Sequence, residues 1–182
     1  MSRLGKKEGT RIFVVGPPGS QSKEIATALS EHFLFDKISL GEILTSESNK
    51  DTELSSTIKK TLNDYRMVSD AVAIEAVKGK IPHGTEIESS YVIEGFPKNK
   101  VQSLQLQKLG IIPDKFILLN VDDEVALDHI KISLKKYGST AEGEELEKAA
   151  QESLDEYKMN IKGVRESYEG FYYEIDMTDA VL

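Results

Sequence analysis

Residues 11–33, RIFVVGPPGSQSKEIATALSEHF, constrain the fold more than any other stretch of the 182-residue chain. The apolar run Ile12-Phe13-Val14-Val15 stops at Gly16-Pro17-Pro18-Gly19-Ser20, and Ile25, Ala28, Leu29 and Phe33 then recur with helical spacing. Strand, glycine loop and helix in this order make the setting of a phosphate-binding loop. Backbone N–H groups wrap the phosphates, and the helix N-terminus adds a favourable dipole. The pattern such a loop requires is G-x-x-x-x-G-K-[ST]. Counted from Gly16, this chain puts Gln21 where the last glycine belongs and Ser22 where the lysine belongs. The loop is there without its cation.

The same alternation continues along the chain. Short apolar runs predict strands over about 11–16, 35–39, 91–95, 115–121 and 171–176, although 35–39 also reads as an extended link. Helical spacing predicts helices over 41–48, 53–65, 71–80 (with Ser69-Asp70 as its cap), 100–109, about 122–134 and 144–169. Ala150, Leu154, Tyr157, Ile161, Val164 and Tyr168 form a continuous packing stripe on the last of these. Strands alternating with helices imply βαβ units, hence an α/β fold with a mostly parallel sheet and helices on both faces. Residues 1–10 are polar and basic and read as a disordered lead-in, leaving 11–182 as a single domain.

Charge and composition narrow the function. A net charge of −8 argues against nucleic acid or an anionic membrane as the main partner. No apolar run approaches the roughly 20 residues of a membrane span. With no cysteine there is no disulfide framework, thiolate metal site or cysteine nucleophile, and a cytoplasmic setting is expected. Arginine occurs only at positions 3, 11, 66 and 165. Its planar fork is the usual device for holding transferring phosphates, and lysine replaces it poorly.

Five motifs in order, GPPGS, SLGEILTSE, VSDAVAIEAV, YVIEGFPKNKVQSLQL and PDKFILLNVDDEVALDHI, resemble the adenylate kinase family of nucleoside monophosphate kinases. The resemblance covers roughly residues 11–180. It implies a P-loop NTPase-like three-layer sandwich with a central five-stranded parallel sheet and helices on both faces. It also implies a small monophosphate-binding lobe at about 37–70 and a short lid at about 136–144, marked by GSTAEG. In the family, the terminal phosphoryl of a magnesium-bound triphosphate moves onto a monophosphate.

Carried over by the resemblance, the nucleotide-binding positions are Gly16, Gly19, Ser20, Gln21, Ser22, Lys23, Glu24, Gly95, Lys98 and Gln102. Several hold the wrong chemistry. The loop lysine is Ser22, and the next two positions, a glycine and a magnesium-side threonine in the family, are Lys23 and Glu24. The monophosphate arginine after the GEIL-like motif is Thr45. The acid and arginine of the strand-end motif are Glu94 and Lys98, while Gln102 matches the glutamine that reads the adenine edge. The lid's arginine pair falls near His129 and Ser133, and the long-helix arginine is Ser153. No residue is assigned a catalytic role. Lys131, Lys135 and Lys136 offer replacement charge or form a solvated helix face. Lys23 offers to neutralise Glu24, and Glu94 reads either as an acceptor for magnesium-bound water or as a charge at a sheet edge.

Three readings follow. The first is a non-catalytic assembly or scaffold module with protein partners, which the family's ciliary and flagellar members make a cytoskeletal or axonemal setting for by analogy. The second is a nucleotide-binding sensor without turnover. The third is a working kinase interconverting ATP, AMP and ADP. The first two need no cofactor and expect ATP or AMP, with Mg2+, to bind weakly. The scattered histidines 32, 83 and 129 do not read as a metal site. Tyr157, Tyr168, Tyr172 and Tyr173 read as core, and the acidic run from Glu142 to Glu156 as a solvated helix face or a partner-docking surface.

Overall fold

The structure is a computed structural model that describes residues 9–63, 67–82, 89–136 and 139–180. Residues 1–8 of the expected lead-in, Tyr65, Arg66, His83, and two residues of the expected lid, Tyr137 and Gly138, lie outside it. The elements run β1 (Arg11–Val15), α1 (Ser22–Phe33), β2 (Asp36–Ser39), α2 (Leu40–Ser48), α3 (Glu53–Asn63), α4 (Asp70–Lys78), β3 (Tyr91–Glu94), α5 (Lys100–Lys108), β4 (Lys115–Asn120), α6 (Asp123–Lys136), α7 (Gly143–Ser167) and β5 (Tyr172–Asp176). The five strands form one parallel sheet in the order β2-β3-β1-β4-β5. Residues 36–39, open between strand and link from sequence, are a strand paired with β3.

The central strand explains the apolar run at the start of the chain. Ile12, Phe13, Val14 and Val15 are all buried, as expected for a strand covered on both faces. Phe13 and Val15 face a core completed by Leu106 of α5 and by Ile161, Val164 and Tyr168 at the end of α7. Ile12 and Val14 face Ala26, with Ile25 and Leu29 of α1 packed alongside. A third cluster joins Ala126, Ile130 and Leu134 of α6 to Ala150 and Leu154 of α7. The predicted stripe on α7 therefore serves two neighbours, α6 with its first half and the sheet with its second. Ser69 caps α4 as predicted, its hydroxyl accepting from Val72 N–H.

α5 and α7 pack closely because position 163 has no side chain. A Cβ at Gly163 would sit 2.7 Å from Lys100 Cβ and 3.2 Å from Lys100 N. Gly163→Ala gains up to about 1 kcal/mol of helix propensity. The forced separation costs more, about 1–3 kcal/mol. The net effect is expected to be a lower denaturation midpoint in urea, and a raised midpoint would show that the two helices yield freely.

Of the tyrosines read as core, Tyr173 is the correction, while Tyr172 packs against the core. Tyr168 is buried, but Tyr172 is only partly so and Tyr173 is 58% exposed. The reason is topological: β5 is the edge strand, and its α1-side face extends beyond the helix that covers β1. Tyr173 meets a cation there rather than a core, with Lys115 Nζ 5.2 Å from its ring centre. Glu174 pairs with Arg165 at 2.6 Å. Charges on an exposed edge discourage pairing with a foreign strand.

Candidate functional site

Parallel packing brings the C-terminal ends of β1, β2 and β3 together, where open α/β sheets place their ligand crevice. A cleft of about 500 Å3 opens there. All ten residues expected to bind nucleotide line it: Gly16, Gly19, Ser20, Gln21, Ser22, Lys23, Glu24, Gly95, Lys98 and Gln102. So do His129, Ser133 and Ser153.

The loop keeps the backbone shape that a phosphate cradle needs. Ser20 N–H closes a turn onto Pro17 carbonyl at 3.1 Å, and Gly19 has φ +85°. Gln21 also has a positive φ, 58°, a left-handed conformation that normally selects glycine or asparagine. Its side chain shows what holds it: Nε2 donates to Ala180 carbonyl at 2.7 Å, tying the loop to the segment after β5. Gln21 therefore gives α1 no side-chain cap, leaving first-turn N–H groups open. Glu24 occupies that first turn, where the helix dipole favours a carboxylate and an incoming anion would compete with it.

Ser22 carries the decisive contact. Its hydroxyl donates to Glu94 Oε1 at 2.7 Å, and Ser39 hydroxyl donates to Glu94 Oε2 at 2.6 Å. Glu94 is thus a buried carboxylate with a serine on each oxygen, joining the ends of α1, β2 and β3. Of its two readings from sequence, the charge at the sheet edge matches this position at the end of β3, where the carboxylate is buried. Each Glu94 oxygen keeps a second lone pair that could accept from magnesium-bound water. Among the described residues no group of three His, Asp or Glu is placed to hold a metal.

Most of the lysines near the cleft are paired elsewhere. Lys23 pairs with Glu42 at 3.2 Å, alongside Lys37 at 2.9 Å, so it is not the partner of Glu24. Hydrogen bonds from Lys37 and then Lys23 hold the Glu42 carboxyl below its ordinary range. Lys131 bonds Asp128 and Glu147, and Lys135 lies by Glu142; neither lines the cleft. Lys98 is open to the cleft but surrounded by protein within it. The resulting desolvation lowers its ammonium pKa, against the opposing pull of Glu94.

Gln102 is fully buried. Its Oε1 accepts from Lys98 N–H at 2.7 Å and its Nε2 donates to Asp70 at 2.9 Å, so most of its bonding capacity toward a base is used internally. Thr45 lies outside the cleft lining, its hydroxyl donating back to Gly41 carbonyl at 2.8 Å. No arginine among the described residues lines the cleft. Arg11 donates to Gly110 carbonyl, and Arg165 is with Asn120 and Glu174.

Sequence reasoning missed the apolar and helical wall of the cleft. Leu40, Leu44, Met67 and Val68 line one part of it, and Glu156, Tyr157 and Asn160 of α7 another. Tyr157 had been read only as part of the packing stripe. Burial raises its phenol pKa strongly. Asn160 had one available signal: it lies four residues after Glu156, on the same face of the long helix.

The adenylate kinase family model matches residues 14–172. The chain belongs to the adenylate kinase family. It is 28% identical over 127 residues to an adenylate kinase of Kluyveromyces lactis, across 68% of this chain and 56% of that protein. It is 25% identical over 168 residues to a chloroplastic adenylate kinase of Zea mays, across 87% and 75%. An adenylate kinase of Emericella nidulans is 26% identical over 140 residues, across 71% and 54%. The matched stretch thus spans little more than half of two of these curated relatives. This adenylate kinase family domain has the P-loop NTPase-like α/β architecture, a five-stranded parallel sheet with helices on both faces. Among its described residues no helix is long and apolar enough to cross a membrane.

Proposed function

We propose that this adenylate-kinase-like domain has a degenerate active site and does not transfer phosphoryl groups. It acts in the cytoplasm as an assembly or scaffold module whose cleft retains a weak affinity for adenine nucleotides. The observation that carries this reading is the Ser22–Glu94 hydrogen bond of 2.7 Å. Where the resemblance places a lysine facing phosphate, this chain has a neutral hydroxyl committed to a buried carboxylate. Glu24, Glu94 and Glu156 bring three acidic side chains to the cleft lining, against Lys23, already paired with Glu42, and Lys98.

What remains for a ligand is the backbone cradle of residues 16–20 and the open N-terminus of α1. These favour some nucleotide binding over none. A calorimetric titration with ATP and Mg2+ is expected to give a Kd of about 1 mM or weaker, on the order of −4 kcal/mol. Affinity should fall further with salt, since exposed charge contributions are screened. A low-micromolar constant would favour a nucleotide sensor over a scaffold. The working-kinase alternative, ATP + AMP = 2 ADP, requires turnover in a coupled ADP assay.

A further inference from the structure

We propose that His129 is a direct contact for an anion seated on the phosphate loop, and that protonation of its imidazole gates that binding. The proposal rests on reading the cleft as a phosphate site and adds a residue and a condition to it.

The geometry starts at Gly19. A Cβ on Gly19 would lie 2.8 Å from His129 Cδ2 and 3.0 Å from its Cγ, so the ring lies directly on the loop. His129 reaches it from α6, is exposed, and lines the same cleft. Neither ring nitrogen makes a hydrogen bond among the described residues, so the polar edge is available to a ligand. Ser20, in the same loop, has a buried hydroxyl that also lacks a partner among them. The loop thus combines a buried, unpartnered hydroxyl, uncapped N–H groups at the start of a 12-residue helix, and an imidazole packed against its glycine.

The surrounding charges make the imidazole decisive. On its own helix, Asp128 is tied to Lys131, and Lys131 also bonds Glu147 of α7. Ser133 and Ser153 are neutral. From α1 come Glu24 and Lys23, the latter paired with Glu42; from β3 and its following loop come Glu94 and Lys98; from α7 comes Glu156. Carboxylates and lysines as classes keep their charge between about pH 5.5 and pH 8, whereas imidazole changes its own there. Lys98 needs a control, because desolvation lowers its pKa. The ligand class is a tetrahedral oxyanion carrying about two charges, such as a terminal phosphate.

Inorganic sulfate is the probe, since its charge is constant across this range. Binding is read from amide shifts of Gly16 and residues 19–23 in a titration of the whole chain at about pH 5.5 and about pH 8. Wild type is expected to bind about fivefold more tightly at the lower pH, the effect of one partly solvated charge pair. His129→Gln should bind weakly at both pH values and His129→Lys more tightly at both. Lys98→Arg should keep the wild-type pH dependence. His129 is exposed, so its replacement leaves the core intact. Equal sulfate affinity of wild type at the two pH values, or a His129→Gln variant that keeps the dependence, overturns the role of His129 while leaving the phosphate-site reading standing. Absence of loop shifts at both pH values overturns both.

Discussion

A coupled ADP assay on the wild-type domain is expected to read background, and the Gln21→Gly, Ser22→Lys double variant is expected to stay there while binding ATP more tightly. Phosphoryl transfer depends almost wholly on positioning and on stabilising charge spread over the transferred group. One arginine finger alone is worth about 10³–10⁵ in rate. No arginine among the described residues lines this cleft, and its two cleft lysines are Lys23, paired with Glu42, and Lys98, a point charge without arginine's planar fork. The double variant restores a cation and a flexible turn, but at a defined cost. A lysine at 22 enters beside Glu94, which already accepts the Ser22 hydroxyl, so part of its charge is neutralised before phosphate arrives. Glycine at 21 relieves the 58° φ but removes the bond to Ala180. About tenfold tighter ATP binding, some 1.4 kcal/mol, is the expected gain. The transferring phosphoryl still lacks its clamp. Wild-type turnover approaching the 1–10³ s⁻¹ typical of enzymes, with about 10 s⁻¹ as the midpoint, would defeat the non-catalytic reading.

The largest stability effect is expected from Phe116→Ala. Phe116 is fully buried in β4, with ring centres 4.8 Å from Tyr168, 5.9 Å from Phe13 and 6.5 Å from Tyr172. Removing it strips one ring from an aromatic cluster that links β1, β4, β5 and the end of α7. Phenylalanine-to-alanine changes in such cores cost about 3–5 kcal/mol, out of a total stability of about 5–15 kcal/mol. Thermal unfolding should show a Tm lowered by on the order of 10 °C. A drop of less than about 2 °C would mean that the cluster collapses around the cavity and contributes little rigidity. The same variant tests whether the cleft depends on the sheet, because β1 and the loop after it rest on Phe13.

Much of the fold was legible because the signals are local. β1, β3 and β4 are short apolar runs ended by glycine or a charge, and the stripe on α7 recurs at helical spacing. Tyr173 was misread because an edge strand and a covered strand share one local pattern. What separates them is which neighbour lies on each side, and no short window contains that. The ten residues expected to bind nucleotide lie together at one cleft, since their motifs follow strands that end at one edge. Their bonding was not legible. Ser22, Ser39 and Glu94 meet only when α1, β2 and β3 are assembled. Gln21 and Ala180 are 159 positions apart, and His129 reaches Gly19 from another helix. A residue type at a motif position says what charge is present, not which neighbour has already taken it.

The position of β1 in the sheet also sets the order in which the chain can acquire its structure. Its neighbours are β3, joined through Thr10 and Ser90 at a separation of 80 residues, and β4, joined through Arg11 and Asp114 at 103. Parallel pairing allows no hairpin shortcut, so both contacts carry a large loop-closure entropy before any ladder bond forms. Such non-local topologies fold slowly. As the chain emerges from the ribosome, Ile12–Val15 must wait for most of the sequence before its second partner exists. Throughout that interval a four-residue apolar segment with two bare edges is exposed to other chains. The strand that anchors the finished cleft is therefore the one whose pairing waits on the most distant parts of the chain.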